Sequence, residues 1–255
     1  MVSGIVTLIT DFTEYGPHVG IIKGVILKTF PECIIVDVTH FIPPFSIPAG
    51  AFVLRESFEA FPEGTVHLAV VDPTVGSKRR CIALRTRNYW FVGPDNGILW
   101  PAAAQDKILS AWEINAELFP HSMTFHGRDI FAPVAARLSR GESVDTMAHS
   151  IEINKLTKLD LSNYAFADQF GNIETPLKIS PKEILLNGKK IRLVKTYADG
   201  AQGEIFALIN SRGFLELASK EDSAYDKIKN KDALQLEIDG IKYAFKIISL
   251  PRINT

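Results

Sequence analysis

Two textures divide the chain. Short unbroken apolar runs ending on acids alternate with stretches of helical spacing in the first half, whereas short alternating segments split by turn residues fill the second. Gly4 to Thr10 (GIVTLIT) reads as a strand buried on both faces, and it stops at Asp11 before a loop containing Gly16, Pro17 and Gly20. Val19 to Phe30 has apolar residues at helical spacing and ends at Pro31, after which Cys33 to Val38 (CIIVDV) is the next strand. The three segments make one βαβ unit. A proline-rich loop, His40 to Pro48, leads to a predicted helix over Ala49 to Phe61, closed by Pro62-Glu63-Gly64. The following run, Leu68 to Val71, is a further buried strand, and it delivers Asp72 at its carboxyl end.

Cys81 to Thr86 and Tyr89 to Val92 are strand-like and joined by a polar Arg87-Asn88 turn, with the special-backbone loop Gly93-Pro94-Asp95-Asn96-Gly97 beyond. Ala102 to Asn115 fits neither period. Ile130 to Arg137 reads as a helix that tolerates Pro133 only near its start, which sets His126 just ahead of a helix N-terminus. From about Ser139 a polar stretch to Leu161 reads as a linker or inter-domain hairpin. Tyr164 to Phe166, Ile191 to Tyr197, Glu204 to Ile209, Phe214 to Ala218, Gln235 to Ile238 and Lys242 to Ile248 then form an all-β module. The fold class expected is an α/β N-terminal domain over residues 1–155, with a mostly parallel, Rossmann-like sheet, and an all-β C-terminal barrel over 156–255.

Composition narrows the function classes. The 255 residues are 46% hydrophobic and 22% charged, with a net charge of −1, so no long-range field recruits nucleic acid or an anionic membrane. The two cysteines, Cys33 and Cys81, lie in or beside apolar runs and suggest buried thiols in a reducing, cytoplasmic compartment. The first ten residues lack a basic signal-peptide region, and no apolar run is long enough to span a bilayer. The turn after the first strand carries no GxGxxG, and GxSxG, a P-loop, HExxH and paired-Cys metal motifs are missing, so NAD or FAD binding, serine acyl transfer, triphosphate hydrolysis and zinc catalysis have no support.

Position selects the remaining candidates. Asp11 and Asp72 sit at strand ends, where open α/β sheets bind ligands; Asp72 is equally readable as a turn acid that bonds its own backbone. Arg79, Arg80 and His126 are nearby in sequence or at a helix start. An acid, an arginine and a histidine that converge can orient and deprotonate a water, although spacing does not show convergence. His40 and His67, like His126, do not fall at metal-ligand spacing; Asp95 and Asn96 are open to ligand contact, although turn chemistry alone explains them and is the favoured reading. In the second half Asp168, Asn172, Asn210, Ser211 and Arg212 occupy turns that offer hydrogen-bonding groups for a purine edge or a carboxylate, and Phe45 and Tyr197 are aromatics able to flank a planar ring.

Taken in order, ITDF (Ile9 to Phe12), KGVI (Lys23 to Ile26), IVDVTH (Ile35 to His40), GTVHLAVVDPTVGSKRR (Gly64 to Arg80), FVGPDNG (Phe91 to Gly97), HGRDIFAPVAA (His126 to Ala136), DQFGN (Asp168 to Asn172) and NSRGFLELA (Asn210 to Ala218) resemble the S-adenosyl-L-methionine (SAM) hydroxide adenosyltransferase family, the SAM hydrolases related to fluorinase and chlorinase. The resemblance runs over nearly the whole chain. It implies hydrolysis of SAM to adenosine and L-methionine without a cofactor or metal, in a homotrimer that holds SAM between subunits. It assigns water activation to Asp72, Arg79 and His126, the ribose diol to Asp11, an adenine contact to Asn172, the methionine moiety to Asp168, Ser211 and Arg212, and aromatic walls to Phe45 and Tyr197. The related halogenases carry a tyrosine and a threonine where Asp72 and Val75 stand, and a carboxylate beside the nucleophile repels halide. A non-catalytic SAM- or adenosine-binding protein and a halogenase are the alternative readings. Thr13 and Thr74 replace glycines of the family pattern and reshape their loops if those positions need positive φ. Glu221 to Tyr225 replaces a glycine-asparagine-alanine run beside the adenine.

Overall fold

The computed structural model describes residues 2–228 and 232–251. They form two compact units, Met1–Leu159 and Asp160–Thr255. The first unit is a seven-stranded mixed sheet with helices packed on it. Its strands are β1 (Ile5–Thr10), β2 (Ile34–Thr39), β3 (Val66–Val70), β4 (Cys81–Thr86), β5 (Trp90–Pro94), β6 (Ile108–Ile114) and β7 (Ala148–Ile151), and its helices α1 (His18–Thr29), α2 (Ile47–Ser57), α3 (Trp100–Gln105) and α4 (Ala132–Ser139). The spatial order is β2-β1-β3-β5-β4-β6-β7. Pairs β1–β2, β1–β3 and β3–β5 are parallel, while β5–β4, β4–β6 and β6–β7 are antiparallel. The sheet is therefore mixed, not mostly parallel: the Arg87-Asn88 turn is too short for a crossover, so β4 and β5 pair as a hairpin and the strands beyond follow antiparallel.

Two sequence readings change in this unit. The ambiguous Ala102 to Asn115 holds the end of α3 and all of β6, which is why neither period fits. The polar stretch from Ser139 to Leu161 is not simply a linker, because β7 within it pairs with β6. It reads as polar because it is the edge strand, with His149 and Ser150 exposed. The core against α1 and α4 is built from Val6, Leu8, Val66, Leu68 and Val70 of the parallel strands with Ile22, Ile26, Ile130 and Val134, as expected for strands covered on both faces.

The second unit is an eight-stranded sheet of β8 (Tyr164–Ala167), β9 (Ile173–Glu174), β10 (Ile184–Leu186), β11 (Lys189–Ile191), β12 (Ile205–Ile209), β13 (Leu215–Ser219), β14 (Ala233–Ile238) and β15 (Ile241–Ser249), in the order β11-β10-β14-β15-β8-β9-β13-β12. A bridge between Leu193 and Ala207, just beyond β11 on one side and within β12 on the other, nearly closes it into a barrel. The predicted strand Ile191 to Tyr197 ends at Ile191, because Thr196 caps a one-turn helix, Tyr197–Asp199, with its backbone and hydroxyl both bonded to the Asp199 carboxylate. Among the described residues no helix is long and apolar enough to cross a membrane.

Candidate functional site

Strand β1 lies between β2 and β3, so the connection leaving it runs one way and the strand reached after β2 lies the other way. The carboxyl ends of β1 and β3 flank that reversal, the place where open α/β sheets bind ligands. Thr10 and Val70 are register partners at the ends of these strands, which brings Asp11 and Asp72 to the same crevice. The crevice is a cleft of about 710 Å³ lined by Asp11, Phe12, His18, Phe45, Asp72, Val75, Phe125, His126 and Arg128, with Pro44, Ser122 and Thr124.

Asp72, Arg79 and His126 converge at its wall. The Arg79 guanidinium donates from Nε to both Asp72 oxygens at 3.0 Å and from Nη2 to Oδ2, while Nη2 also reaches His126 Nδ1 at 2.9 Å and Nη1 reaches Cys81 Sγ at 3.0 Å. Both side chains of the ion pair are nearly buried, and the guanidinium lies over the Phe131 ring at 5.3 Å. Burial alone lowers the Arg79 pKa, but the Asp72 carboxylate more than offsets it and holds arginine above its usual value. A guanidinium has no acceptor, so Nδ1 of His126 is the acceptor and the neutral ring carries its proton on Nε2. That Nε2 is buried without a partner. Burial, then the Arg79 charge and His121, hold the His126 pKa below the usual histidine value.

Loop geometry fixes these groups. His126 precedes a π-helical turn, Gly127–Phe131, that runs into α4; Pro133, which has no N–H, falls in the first turn of α4, where the helix accommodates it. The helix thus starts earlier than the sequence predicts. Gly76, at φ +79°, passes so close to Met123 that a Cβ there would lie 2.4 Å from its carbonyl oxygen, which pins the loop between Asp72 and Arg79. Thr13 adopts φ +57° with its N–H on the His40 carbonyl at 2.8 Å, so this position does need positive φ and threonine bears the strain; Thr74 is not among the positive-φ residues. Phe45, at φ +65° and 71% exposed, donates its N–H to Asp11 Oδ2 at 2.9 Å. Burial raises the Asp11 pKa against this bond, and the Asp72 charge adds to the rise.

Several sequence candidates are structural. Arg80 pairs with Asp95 and with the Lys155 carbonyl, Asp95 accepts from the Thr157 N–H at 2.9 Å, and Asn96 donates to the Val71 carbonyl at 2.8 Å, tying down the end of the third strand. His67 is buried among Phe58, Phe61, Tyr89 and Phe91, bonded to Thr7, and burial drives its pKa to about 3.

In the second unit Asp168, Asn172 and Tyr197 line a pocket of about 820 Å³ with Phe170, Lys220, Glu221, Asp222 and Ser223. Asp168 accepts from the Phe170 and Asn172 N–H groups and from the Asn172 amide, so part of its capacity holds the turn. Gly171, at φ +82°, leaves no room for a Cβ beside Ser223 Oγ, which caps the short helix Ala224–Lys227. Thus the Glu221 to Tyr225 segment packs on the DQFGN turn. Ser211 and Arg212 do not line this pocket; Arg212 pairs with Glu174. Sequence reasoning missed Cys81 as a partner of Arg79, the cleft residues Phe12, His18, Phe125 and Arg128, and the buried acids Glu174 and Glu216. For Glu216 a signal existed, an acid inside the apolar strand LELAS.

A family profile described as SAM hydroxide adenosyltransferase N-terminal domain matches residues 6–148, and one described as SAM hydroxide adenosyltransferase C-terminal domain matches residues 163–236. A protein of Methanocaldococcus jannaschii named (R)-S-adenosyl-L-methionine hydrolase is 36% identical, over 92% of this chain and 95% of that protein. One of the same name from Thermus thermophilus is 30% identical, over 91% and 98%. A crystal structure of an uncharacterized conserved protein from Thermotoga maritima superposes with a TM-score of 0.80 at 32% identity, covering 92% of this chain and 99% of that one.

Proposed function

The chain belongs to the SAM hydroxide adenosyltransferase family, and from that premise we propose that it hydrolyses SAM to adenosine and L-methionine. The observation that carries this reading is the Asp72–Arg79–His126 network on the wall of the strand-end cleft. Two relatives named as hydrolases of this substrate support it.

Attack is in line. Water bonds to the ribose C5′ as the C5′–S bond breaks, its electron pair passing to sulfur. The sulfonium becomes a neutral thioether, so the leaving group needs no acid. His126, which lines the cleft, orients the water, and Asp72 accepts the water proton as the new C–O bond forms, then yields it to solvent. Arg79 holds both partners. Asp11 binds the ribose diol, and the two cleft carboxylates favour a substrate whose reacting centre is cationic. The Asp72 carboxylate that receives a proton repels a halide, which favours hydrolysis over halogenation. Asn172 contacts adenine, Asp168, Ser211 and Arg212 hold the methionine moiety, and Phe45 and Tyr197 flank the ligand. The functional unit in this proposal is a homotrimer of α/β and barrel domains in the cytoplasm, with SAM between subunits and no cofactor.

Incubating the purified chain with SAM and following adenosine by chromatography tests the proposal. Adenosine and methionine in equal amounts are expected. Tight binding of SAM or adenosine without conversion identifies a non-catalytic binding protein and overturns the proposal.

A further inference from the structure

Glu174 and Glu216 are direct register partners on β9 and β13. Each is only 7% exposed. Like charges directly opposite each other across a strand pair destabilise it, and removing carboxylates from water costs several kcal/mol unless their oxygens are well bonded. The neighbouring residues Ile173, Leu215 and Leu217 face the apolar core of the unit, so by strand alternation the two acids share the other face. Core packing therefore does not require them.

What they bond explains their presence. Glu216 Oε1 accepts from the Tyr197 hydroxyl at 2.6 Å, and Glu174 Oε2 accepts from Arg212 and, at 2.7 Å, from the Asn210 amide. The same amide nitrogen reaches Glu216 Oε2 at 3.3 Å. The other end of that amide caps the NSRG turn, since Asn210 Oδ1 accepts from the N–H groups of Arg212 at 3.1 Å and Phe214 at 3.0 Å. Burial, then the Tyr197 and Asn210 bonds against it, set Glu216 above the usual carboxylate range, consistent with a charge kept from solvent.

We propose that Glu174 and Glu216, joined through Asn210, are the positioning residues that hold the substrate-binding groups of this unit in register, Arg212 and the Ser211 turn for the methionine end and Tyr197 as the flanking wall. This rests on the assignment of Tyr197, Ser211 and Arg212 to substrate binding. The acid pair bonds Tyr197, Arg212 and Asn210, so it acts on binding and leaves the chemical step to Asp72, Arg79 and His126.

The test is steady-state SAM hydrolysis by Glu216→Gln, Glu174→Gln, Tyr197→Phe and the Glu216→Gln/Tyr197→Phe double variant. Each glutamine keeps an acceptor oxygen, and Tyr197→Phe removes one atom from a half-exposed ring, so folding is preserved in at least that arm. Loss of one charge-assisted bond raises KM about tenfold while kcat stays within about twofold. Because Glu216 acts through the Tyr197 hydroxyl, the double variant has the KM of the more affected single one. Unchanged KM, a matching fall in kcat, or additive effects of Glu216→Gln and Tyr197→Phe overturn the proposal, as does a lowered melting temperature with normal KM in the folded fraction. If the wild-type chain turns over no SAM, the hydrolase reading fails, and calorimetric Kd values for SAM in the same variants carry the comparison. A wild-type chain that does not bind SAM overturns both.

Discussion

Removing the Arg79 guanidinium is expected to cost stability as well as activity. The side chain is 7% exposed and Asp72 6%, and Arg79 supplies three of the hydrogen bonds on that carboxylate as well as those to Cys81 and His126. Arg79→Gln leaves a buried carboxylate with a neutral neighbour, and breaking such a pair costs about 3–5 kcal/mol. For a domain of this size that lowers Tm by roughly 10 °C, at about 2–4 °C per kcal/mol. Asp72→Asn removes the charge that Arg79→Gln strands, so the double variant is less destabilised than the sum of the singles, with a coupling of about 2 kcal/mol. Denaturant unfolding of the four proteins gives the free-energy losses and the coupling, and thermal unfolding gives the Tm shift. A loss under about 1 kcal/mol for Arg79→Gln, or additive losses, refutes the view that this pair is buried and mutually dependent.

Three further outcomes follow from the same geometry. His67 is neutral in the fold with a pKa near 3 against 6.5 unfolded; its contribution is complete above 6.5 and is lost as pH falls from 6.5 toward 3, by about 1.4 kcal/mol per pH unit. His67→Phe flattens that dependence in pH-resolved unfolding, and an unchanged slope contradicts it. Since the His126 pKa lies below the usual 6.5, its neutral, water-orienting form persists in mild acid, so the acid limb of kcat/KM falls below pH 6.5; a limb centred at or above 6.5 contradicts that role. Phe45→Gly relieves a positive φ at an exposed residue and raises the unfolding free energy by up to about 1 kcal/mol, while KM for SAM rises severalfold. Stability and binding falling together would show that Phe45 is there for packing.

The parts of the molecule set by period and by chain punctuation were legible from the residues. Leu68 to Val71, unbroken and apolar, read as a covered strand and overlaps β3 (Val66–Val70), whose end brings Asp72 to the crevice that the residues alone left as one of two readings. The edge strand β7 was not legible, because an edge with two exposed polar residues lacks the apolar signature that marks a strand. Nor was the early helical start at Gly127, because a π-helical turn has neither helical nor strand period. At the site, spacing proposed Arg79 and Arg80 equally; the family resemblance favoured Arg79, and the fold gives the physical reason. Arg79 turns inward to Asp72 and His126, whereas Arg80 is used on Asp95 and the chain near Lys155. The pairing of Glu174 with Glu216 depends on a contact between separate strands that no local pattern contains, although the acid within LELAS marked Glu216 by itself. Thr13 and Thr74 replaced glycine with the same wording in sequence, yet only Thr13 bears positive φ.

In the proposed reaction water, held by His126 and deprotonated by Asp72, displaces methionine from C5′. Turnover of SAM in oxygen-18 water containing excess chloride, read by mass spectrometry of the products, follows the fate of that water. Adenosine carrying a single labelled oxygen at C5′, unlabelled methionine, and loss of the product in Asp72→Ala are expected. Chlorinated adenosine, unlabelled adenosine, or full-rate labelling by Asp72→Ala would contradict that reaction.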